Sequence, residues 1–516
     1  MSNMNQLDDP LTKEILLCAE ATVVESAPRY PATPPFHPSE AYPEYLFRQI
    51  PGTISSETNA VYAAVRETFF LMGLDAPHYG TPQWNPLGEL IKPGQTVLLK
   101  PNWVRNFHDL NKPTQSLITH GSVLRAVLDY VALALGKEGR VIFADSPQND
   151  AVFEEILGMS GIPEICAFYA THSSIQVEVY DLRIEYVHKI DGVLVQHEKL
   201  PGDPAGYVAV DLGADSAFEP VAHKFHMFRG AEYSLAEMQQ HHRPGLHEYP
   251  LCRTILQADV LINLPKLKTH KKAGVTLSLK NMIGINGNKN WLPHHTEGVP
   301  EEGGDQFASN NTKNRVEHKV LQAFKEWFPK LGPLRKPLAK PIKALGKQVF
   351  GDTNAGRIRS GNWWGNDTIW RTCIDLKRIL LYADKNGRMC DTIQRNYLTL
   401  IDGIVGGEGN GPLAPDDREC GLIIASRNPV VADAVAARIM GFDYRLIPII
   451  VRAFDPSLRW PLTLIAHDEI QCRSNKDYWR GPITSIPHDR FNFAPHFGWT
   501  GHIRIGDPLE KSPVAS

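Results

Sequence analysis

Cysteine is scarce and scattered in this chain of 516 residues. Cys18, Cys166, Cys252, Cys373, Cys390, Cys420 and Cys472 are the seven, and no two are spaced as Cys-x-x-Cys. An iron–sulfur cluster or a zinc knuckle needs local thiolate pairs, so neither is expected. The odd count fits reduced thiols better than a disulfide framework. Long apolar runs are also missing. None approaches the roughly 18–20 residues that span a bilayer, so no transmembrane segment is expected. Met1–Pro10 carries Asp8 and Asp9 and lacks the basic-then-apolar pattern of an export signal, so the expected compartment is the cytoplasm. Charge of one sign is missing too. Lys and Arg number 54 against 57 Asp and Glu, a net charge of -3. That balance excludes a protein built to coat nucleic acid.

What is present reads as α/β, a mostly parallel sheet with crossover helices. Thr96–Lys100 (TVLLK), Arg140–Asp145 (RVIFAD), Asp259–Leu264 (DVLINL), Leu398–Asp402 (LTLID) and Gly421–Ala425 (GLIIA) are short apolar runs typical of strands buried on both faces. Val123–Leu135, Thr368–Tyr382 and Val430–Met440 carry helical patterns, with Thr119 the candidate N-cap of the first. Residues 57–73 read as an amphipathic helix. Residues 174–212 alternate apolar and polar residues around turns at Asp191-Gly192 and Pro201-Gly202, which suggests an inserted antiparallel meander. The expected division is an N-terminal arm and helix (1–93) and an α/β core (94–299). An insertion (300–367), a second α/β part (368–469) and a C-terminal tail (470–516) follow. Within the insertion, Lys330–Lys347 is basic and proline-rich. It reads as a solvated excursion, with a lid or an anionic contact as the functional alternative.

Ligands of parallel sheets gather beyond the C-terminal ends of the strands. Lys100-Pro101-Asn102, Asp145-Ser146, Leu264-Pro265-Lys266 and Asp402-Gly403 all sit at such ends. The richest stretch is Pro265–His295, with Lys266, Lys268, Lys271, Lys272, Lys280, His270, His294, His295 and Asn281. Amines and amides in this density suit a phosphate, carboxylate or sugar acid. Crowded lysines also lower one another's proton affinity, which favours a neutral amine acting as base or nucleophile. The plainer alternative is a basic surface loop. His270 and His294 are candidate ligands of a divalent metal, at a spacing that is not diagnostic. Five further histidines, His223, His226, His241, His242 and His247, read as loop residues, and His247 is the one to test. Asp402–Pro412 (DGIVGGEGNGP) reads as a glycine-rich loop that lets backbone amides approach a ligand, or as a tight chain reversal. Glu408 lies within it. Arg371 is a candidate oxyanion clamp beside the tryptophans of Gly361–Arg371 (GNWWGNDTIWR), and packing with an Asn366 or Asp367 cap is the alternative.

Lys100-Pro101-Asn102, DVLINLPKLKTH, TLSLKNMIG, His294, the glycine-rich run and Ala425–Asp433 (ASRNPVVAD) together resemble the family known as domain of unknown function 362, over roughly residues 95 to 445. GNWWGNDTIWR resembles a longer subgroup associated with bacterial polysaccharide and secondary-metabolite gene neighbourhoods. Many members carry a ferredoxin-like cysteine module, which this chain lacks. A more distant similarity is to the nickel-pincer lactate racemases. That resemblance implies Lys280 and His294 in analogous positions, with His270 before them, a lysine holding a pyridinium cofactor, and histidines serving metal and proton transfer.

Two functional readings stand. One is an enzyme on a small anionic or sugar-like substrate. Lys280, His270, His294 and Asp145 would be its catalytic groups, in proton abstraction or isomerisation. Lys100, Asn102, Lys266, Lys268, Asn281, Glu408 and Arg371 would bind the substrate. The other is a non-catalytic binder of an anionic glycan or metabolite. Substrate, cofactor and oligomeric state are not legible in the sequence.

Overall fold

The computed structural model describes residues 6–190, 193–230, 235–309 and 356–508. The basic stretch 330–347 and the Asp191-Gly192 turn lie outside the described residues. An eleven-stranded sheet organises the chain. Its strands are β1 (Glu20–Glu25), β2 (Thr96–Pro101), β3 (Arg140–Asp145), β4 (Gln176–Asp181), β5 (Val260–Leu264), β6 (Lys266–His270), β7 (Gly274–Thr276), β8 (Asn396–Asn410), β9 (Ala414–Ser426), β10 (Gln471–Ser474) and β11 (Gly481–Pro482). The spatial order is β11-β10-β1-β9-β8-β5-β2-β3-β4, with β6 paired to β8 and β7 off that path. From β8 to β4 every pairing is parallel, whereas β9 runs antiparallel to both β8 and β1.

Helices α1 (Ala60–Leu71) and α2 (Gly121–Leu135) pack on one face, and α3 (Ile369–Tyr382) and α4 (Pro429–Ile439) on the other. The strands feed both layers by alternation. Val97 and Leu99 join the first core, and Leu98 joins the second. With both faces covered, the strand runs can be apolar throughout, which is why they were readable.

Several elements differ from the sequence reading, each for a local reason. The N-terminal segment is more than an arm, because β1 lies inside the sheet between β9 and β10. The C-terminal segment likewise adds β10 and β11 at the edge before it wraps. His120, not Thr119, caps α2, accepting from the Ser122 N–H. The Thr119 hydroxyl instead ties two strand ends together. It donates to Leu264 O at 2.6 Å and accepts the Asn102 N–H at 2.9 Å. The antiparallel insertion is present as the hairpin Glu185–Ile190/Val193–Lys199, while Gln176–Asp181 belongs to the main sheet as β4. Tyr207–Asp211 pairs with Leu246–Cys252.

The glycine-rich run is mostly strand, and its end at Gly411-Pro412 is the tight reversal into β9. β8 continues through it to Asn410 and stays paired with β9. Its glycines serve close packing. A Cβ at Gly407 would stand 2.9 Å from Lys268 Cβ, and one at Gly411 would stand 2.1 Å from Thr269 O. Only glycine lets β6 lie this tightly on β8.

Candidate functional site

Pro265 interrupts β5, and the chain resumes as β6 beyond the C-terminal edge of the sheet, folding back antiparallel on β7. Alternation along β6 sets Lys266, Lys268 and His270 on one side, and all three are buried. A 3-10 turn, Lys280–Ile285, follows β7. The carboxylate of Asp433 on α4 accepts the Ser278 and Leu279 N–H groups at 2.7 and 2.9 Å and so fixes the start of this turn. Gly284 on its far side presses against the β2–β3 strand ends. A Cβ there would meet Asp145 Oδ1 at 2.0 Å and Lys100 Nζ at 2.6 Å.

Lysine is rarely buried without a carboxylate, yet Lys100, Lys266, Lys268, Lys289 and Lys377 all are buried here. Two have direct counter-ions. Lys100 Nζ donates to Asp145 Oδ1 at 2.7 Å, and Asp145 is held in turn by the Trp103 and Ser146 N–H groups. Lys266 Nζ donates to Asp402 Oδ2 at 3.0 Å and to the Tyr30 hydroxyl at 2.5 Å, while that hydroxyl donates to Asp402 Oδ1. The others lack this compensation. Among the described residues, Lys268 donates only to the carbonyl of Leu117, at 2.5 Å. Lys289 reaches oxygens of Ser146, Pro147 and Asn149, and Lys377 the Tyr397 hydroxyl. Lys280 Nζ has no hydrogen-bond or ion-pair partner among the described residues, and the residue is half-buried.

Burial lowers the proton affinity of these amines. Lys268 falls well below the ordinary lysine range, pushed further by Lys266 and Lys280, and burial holds Lys289 at about 7. Lys280 is lowered chiefly by burial, with Cys373 opposing and Lys100 adding to it.

Two histidines face this group in opposite tautomers. His270 Nδ1 accepts the N–H groups of Lys272 and Ala273 at 3.0 and 3.2 Å, so a neutral ring must carry its proton on Nε2. His294 Nδ1 donates to Leu292 O at 2.8 Å, which leaves the Nε2 lone pair free. Both rings stay neutral. Burial, then the positive field of nearby lysines, holds His270 well below the usual histidine range and His294 at about 3. Lys280 acts electrostatically on both rings and on Lys268, so these four residues converge on one region.

The site also holds orphaned polar atoms. Asn102 Nδ2 donates to Asn281 Oδ1 at 3.0 Å, and Asn281 Nδ2 donates to Asn263 Oδ1 at 2.8 Å. Asn102 Oδ1 itself is buried without a partner, as is Thr276 Oγ1, whose residue lies opposite Lys268 in the β6–β7 register.

A two-histidine metal site is not what this geometry offers. His270 presents an N–H and not a lone pair, and among the described residues no three His, Cys, Asp or Glu side chains cluster as a ligand set. Two binding candidates are spent elsewhere. Glu408 accepts the Ala494 N–H at 2.8 Å and faces Arg418, fastening the C-terminal segment. Arg371 binds Asp367 and the Ala217 carbonyl. His247 is buried and bonded to His242 and Glu219, away from the lysines. A groove of about 480 Å³ beside Trp364, Trp370 and Arg452 includes none of the clustered lysines or histidines.

Lys289, Lys377, Tyr30 and Asp433 escaped the sequence reading. Lys377 had a signal. It shares a helix stripe with Cys373, Ile374 and Leu381, where an apolar residue belongs. Tyr30 had none, since its reach to Asp402 is set only by tertiary folding.

Residues 170–438 match the family described as domain of unknown function (DUF362), which is more than half of the chain. The chain belongs to this DUF362 family. The match includes β5 to β8, Lys280, both site histidines and Asp433, whereas Lys100, Asn102 and Asp145 lie before it. A thylakoid-associated protein of Synechocystis is 21% identical over 362 residues, 70% of this chain and 68% of that protein. A solved Thermotoga maritima protein aligns with 12% identity and a TM-score of 0.28, over 68% of this chain and 55% of that one. The chain thus spans little more than half the length of that solved relative. Among the described residues, no helix is long and apolar enough to cross a membrane.

Proposed function

We propose that this DUF362 protein is an enzyme that binds a small hydroxylated anion, such as a sugar acid, and moves a proton on it. The observation that carries this reading is the pair of neutral histidines in opposite tautomers beside amines that lack carboxylates. An anion accepts hydrogen bonds from Lys268 and Lys280, neither of which has a carboxylate partner among the described residues. Thr276 Oγ1 can donate to it, and Asn102 Oδ1 accepts a ligand hydroxyl, since an amide oxygen cannot donate. His270 Nε2–H is a hydrogen-bond donor for developing negative charge. His294 Nε2 is the base. Burial, and after it the lysines' field, make it a poor one, and a seated anion offsets the field, so basicity rises when substrate is present. The cytoplasm is the proposed compartment.

The test is solvent deuterium exchange into glycerate, gluconate and hydroxypyruvate, followed by proton NMR. The expected outcome is exchange into at least one. His294→Ala is expected to lower that rate by at least about 10²-fold while the ligand still raises Tm. The second reading, a pure binder, follows from the same uncompensated amines. It is favoured if a ligand raises Tm in the parent and not in Lys268→Met, and no exchange is seen.

A further inference from the structure

We infer that Lys280 is a nucleophile that condenses with the carbonyl group of a hydroxylated oxo acid to form an imine. This deepens the anion-site reading above and rests on it.

The argument begins with what surrounds the amine. Lysines that serve as clamps are spoken for, as Lys100 is by Asp145 and Lys266 by Asp402. Lys280 has no hydrogen-bond or ion-pair partner among the described residues, and its electrostatic neighbours are the Cys373 thiol and Lys100. It stands at the first position of a turn that Asp433 pins from one side and Gly284 seats against the Lys100–Asp145 pair from the other. Its backbone is thus held from two sides, while the residue itself stays partly exposed. A structural lysine would be bonded; a surface lysine would be hydrated and protonated. An amine desolvated beside other cations is the arrangement that makes lysine nucleophilic at neutral pH, and burial acts on Lys280 in that direction.

The neighbours supply the rest of the chemistry. Imine formation needs a donor to polarise the carbonyl oxygen, and His270 Nε2–H is one. It needs an acceptor for the proton that the nitrogen sheds, and His294 Nε2 is one. Lys280 Nζ attacks the carbonyl carbon, the C–N bond forms, and the C=O π pair moves to oxygen. The nitrogen of the adduct sheds its two protons in turn to His294 Nε2, which passes each to that oxygen, the first making a hydroxyl and the second releasing it as water while the C–O bond breaks and the nitrogen lone pair forms C=N. Amine and ketone give imine and water, with no oxidant or reductant consumed. The carboxylate of the oxo acid meets Lys268, and its hydroxyl meets Asn102 Oδ1. An imine at this position acidifies the adjacent C–H, so the same nucleophile serves the proton abstraction proposed above.

The test is reductive trapping. The full-length protein is incubated with hydroxypyruvate, or pyruvate as the hydroxyl-free control, and treated with sodium cyanoborohydride. It is then digested for peptide mass spectrometry, with ligand-induced Tm shifts measured in parallel. The expected result is an adduct confined to Lys280, stronger with hydroxypyruvate, abolished in Lys280→Arg, and blocked by excess glycerate. An adduct spread over surface lysines and insensitive to glycerate overturns the proposal. A Tm shift without any adduct overturns the imine and leaves the anion site standing. No shift and no adduct with any of the three acids removes both. Lys280→Arg is checked by circular dichroism and by its glycerate Tm shift; a folded variant that binds glycerate yet still traps hydroxypyruvate elsewhere also sinks the assignment.

Discussion

A buried amine whose only partner is one backbone carbonyl, as Lys268 has in Leu117, surrenders the hydration of an ammonium and recovers little of it. Lys100 differs only in having Asp145, and the two lysines should therefore respond oppositely to the same substitution. Lys268→Met removes an uncompensated polar group, and is expected to stabilise the fold by about 1–2 kcal/mol while the anion-induced Tm shift disappears. Lys100→Met leaves Asp145 without its counter-ion, and is expected to cost about 3 kcal/mol. Urea denaturation of both variants checks the pair. A Lys268→Met protein weaker by more than 2 kcal/mol would mean that this amine is structural. At this scale the sequence was partly legible. Residue types and density marked Lys266, Lys268, Lys280, His270 and His294, because polar groups crowded after a buried strand are unusual. Which of them are already satisfied was not legible. Glu408 and Arg371 look like site residues in one dimension, and only the fold brings Ala494 and Asp367 to them.

Elements were read best where burial is complete. β2, β3, β5 and the start of β8 were visible because two covered faces demand apolar residues at every position. The same logic concealed two features. α3 carries Arg371, Asp375, Lys377 and Arg378, yet all of its residues are buried, because Arg378 pairs with Asp375, which also accepts from Ser216 and Tyr249, Arg371 pairs with Asp367, and Lys377 reaches the Tyr397 hydroxyl. The Asp402–Pro412 run looked like a loop because glycine usually marks chain freedom, whereas here it marks contact between strands. This has a measurable consequence. In Gly411→Ala the new methyl meets the Thr269 carbonyl, which is backbone and cannot rotate aside, so a loss of about 3 kcal/mol is expected. Gly158→Ala, in the helix Phe153–Ser160 with nothing within 4 Å, is the control. It is expected to be neutral or to gain about 0.5–1 kcal/mol. Equal Tm values for both variants would contradict the tight β6–β8 packing.

For the whole molecule, buried imidazoles decide the acid response. His120, His242, His294 and His496 are each held at about 3, chiefly by burial. Below pH 6.5 the unfolded chain takes up protons that these rings refuse, so stability falls as pH falls, by up to about 1.4 kcal/mol per ring and pH unit. Asp305 and Asp433, raised to about 6 and about 7 by burial, oppose this between 3.8 and those values, because they keep protons that the unfolded chain has lost. Four rings outweigh two carboxyls. Lys289, held at about 7, adds stability as pH rises further toward 10.5. The urea midpoint is therefore expected to climb from pH 4.5 to 8.5, and a maximum near pH 5 would refute the burial of these rings.

The strand order has a consequence for how the protein is made. Val23 in β1 lies opposite Ile424 on one side and Ser474 on the other. A ribosome delivers β1 long before β9 and β10, which follow it in the chain. Until they emerge, that ribbon of alanine, threonine and valine has nothing to zip onto, and its unsatisfied amides must be shielded from other nascent chains. Maturation should therefore be slow and dependent on chaperones, with final closure waiting until the sheet's far border has emerged.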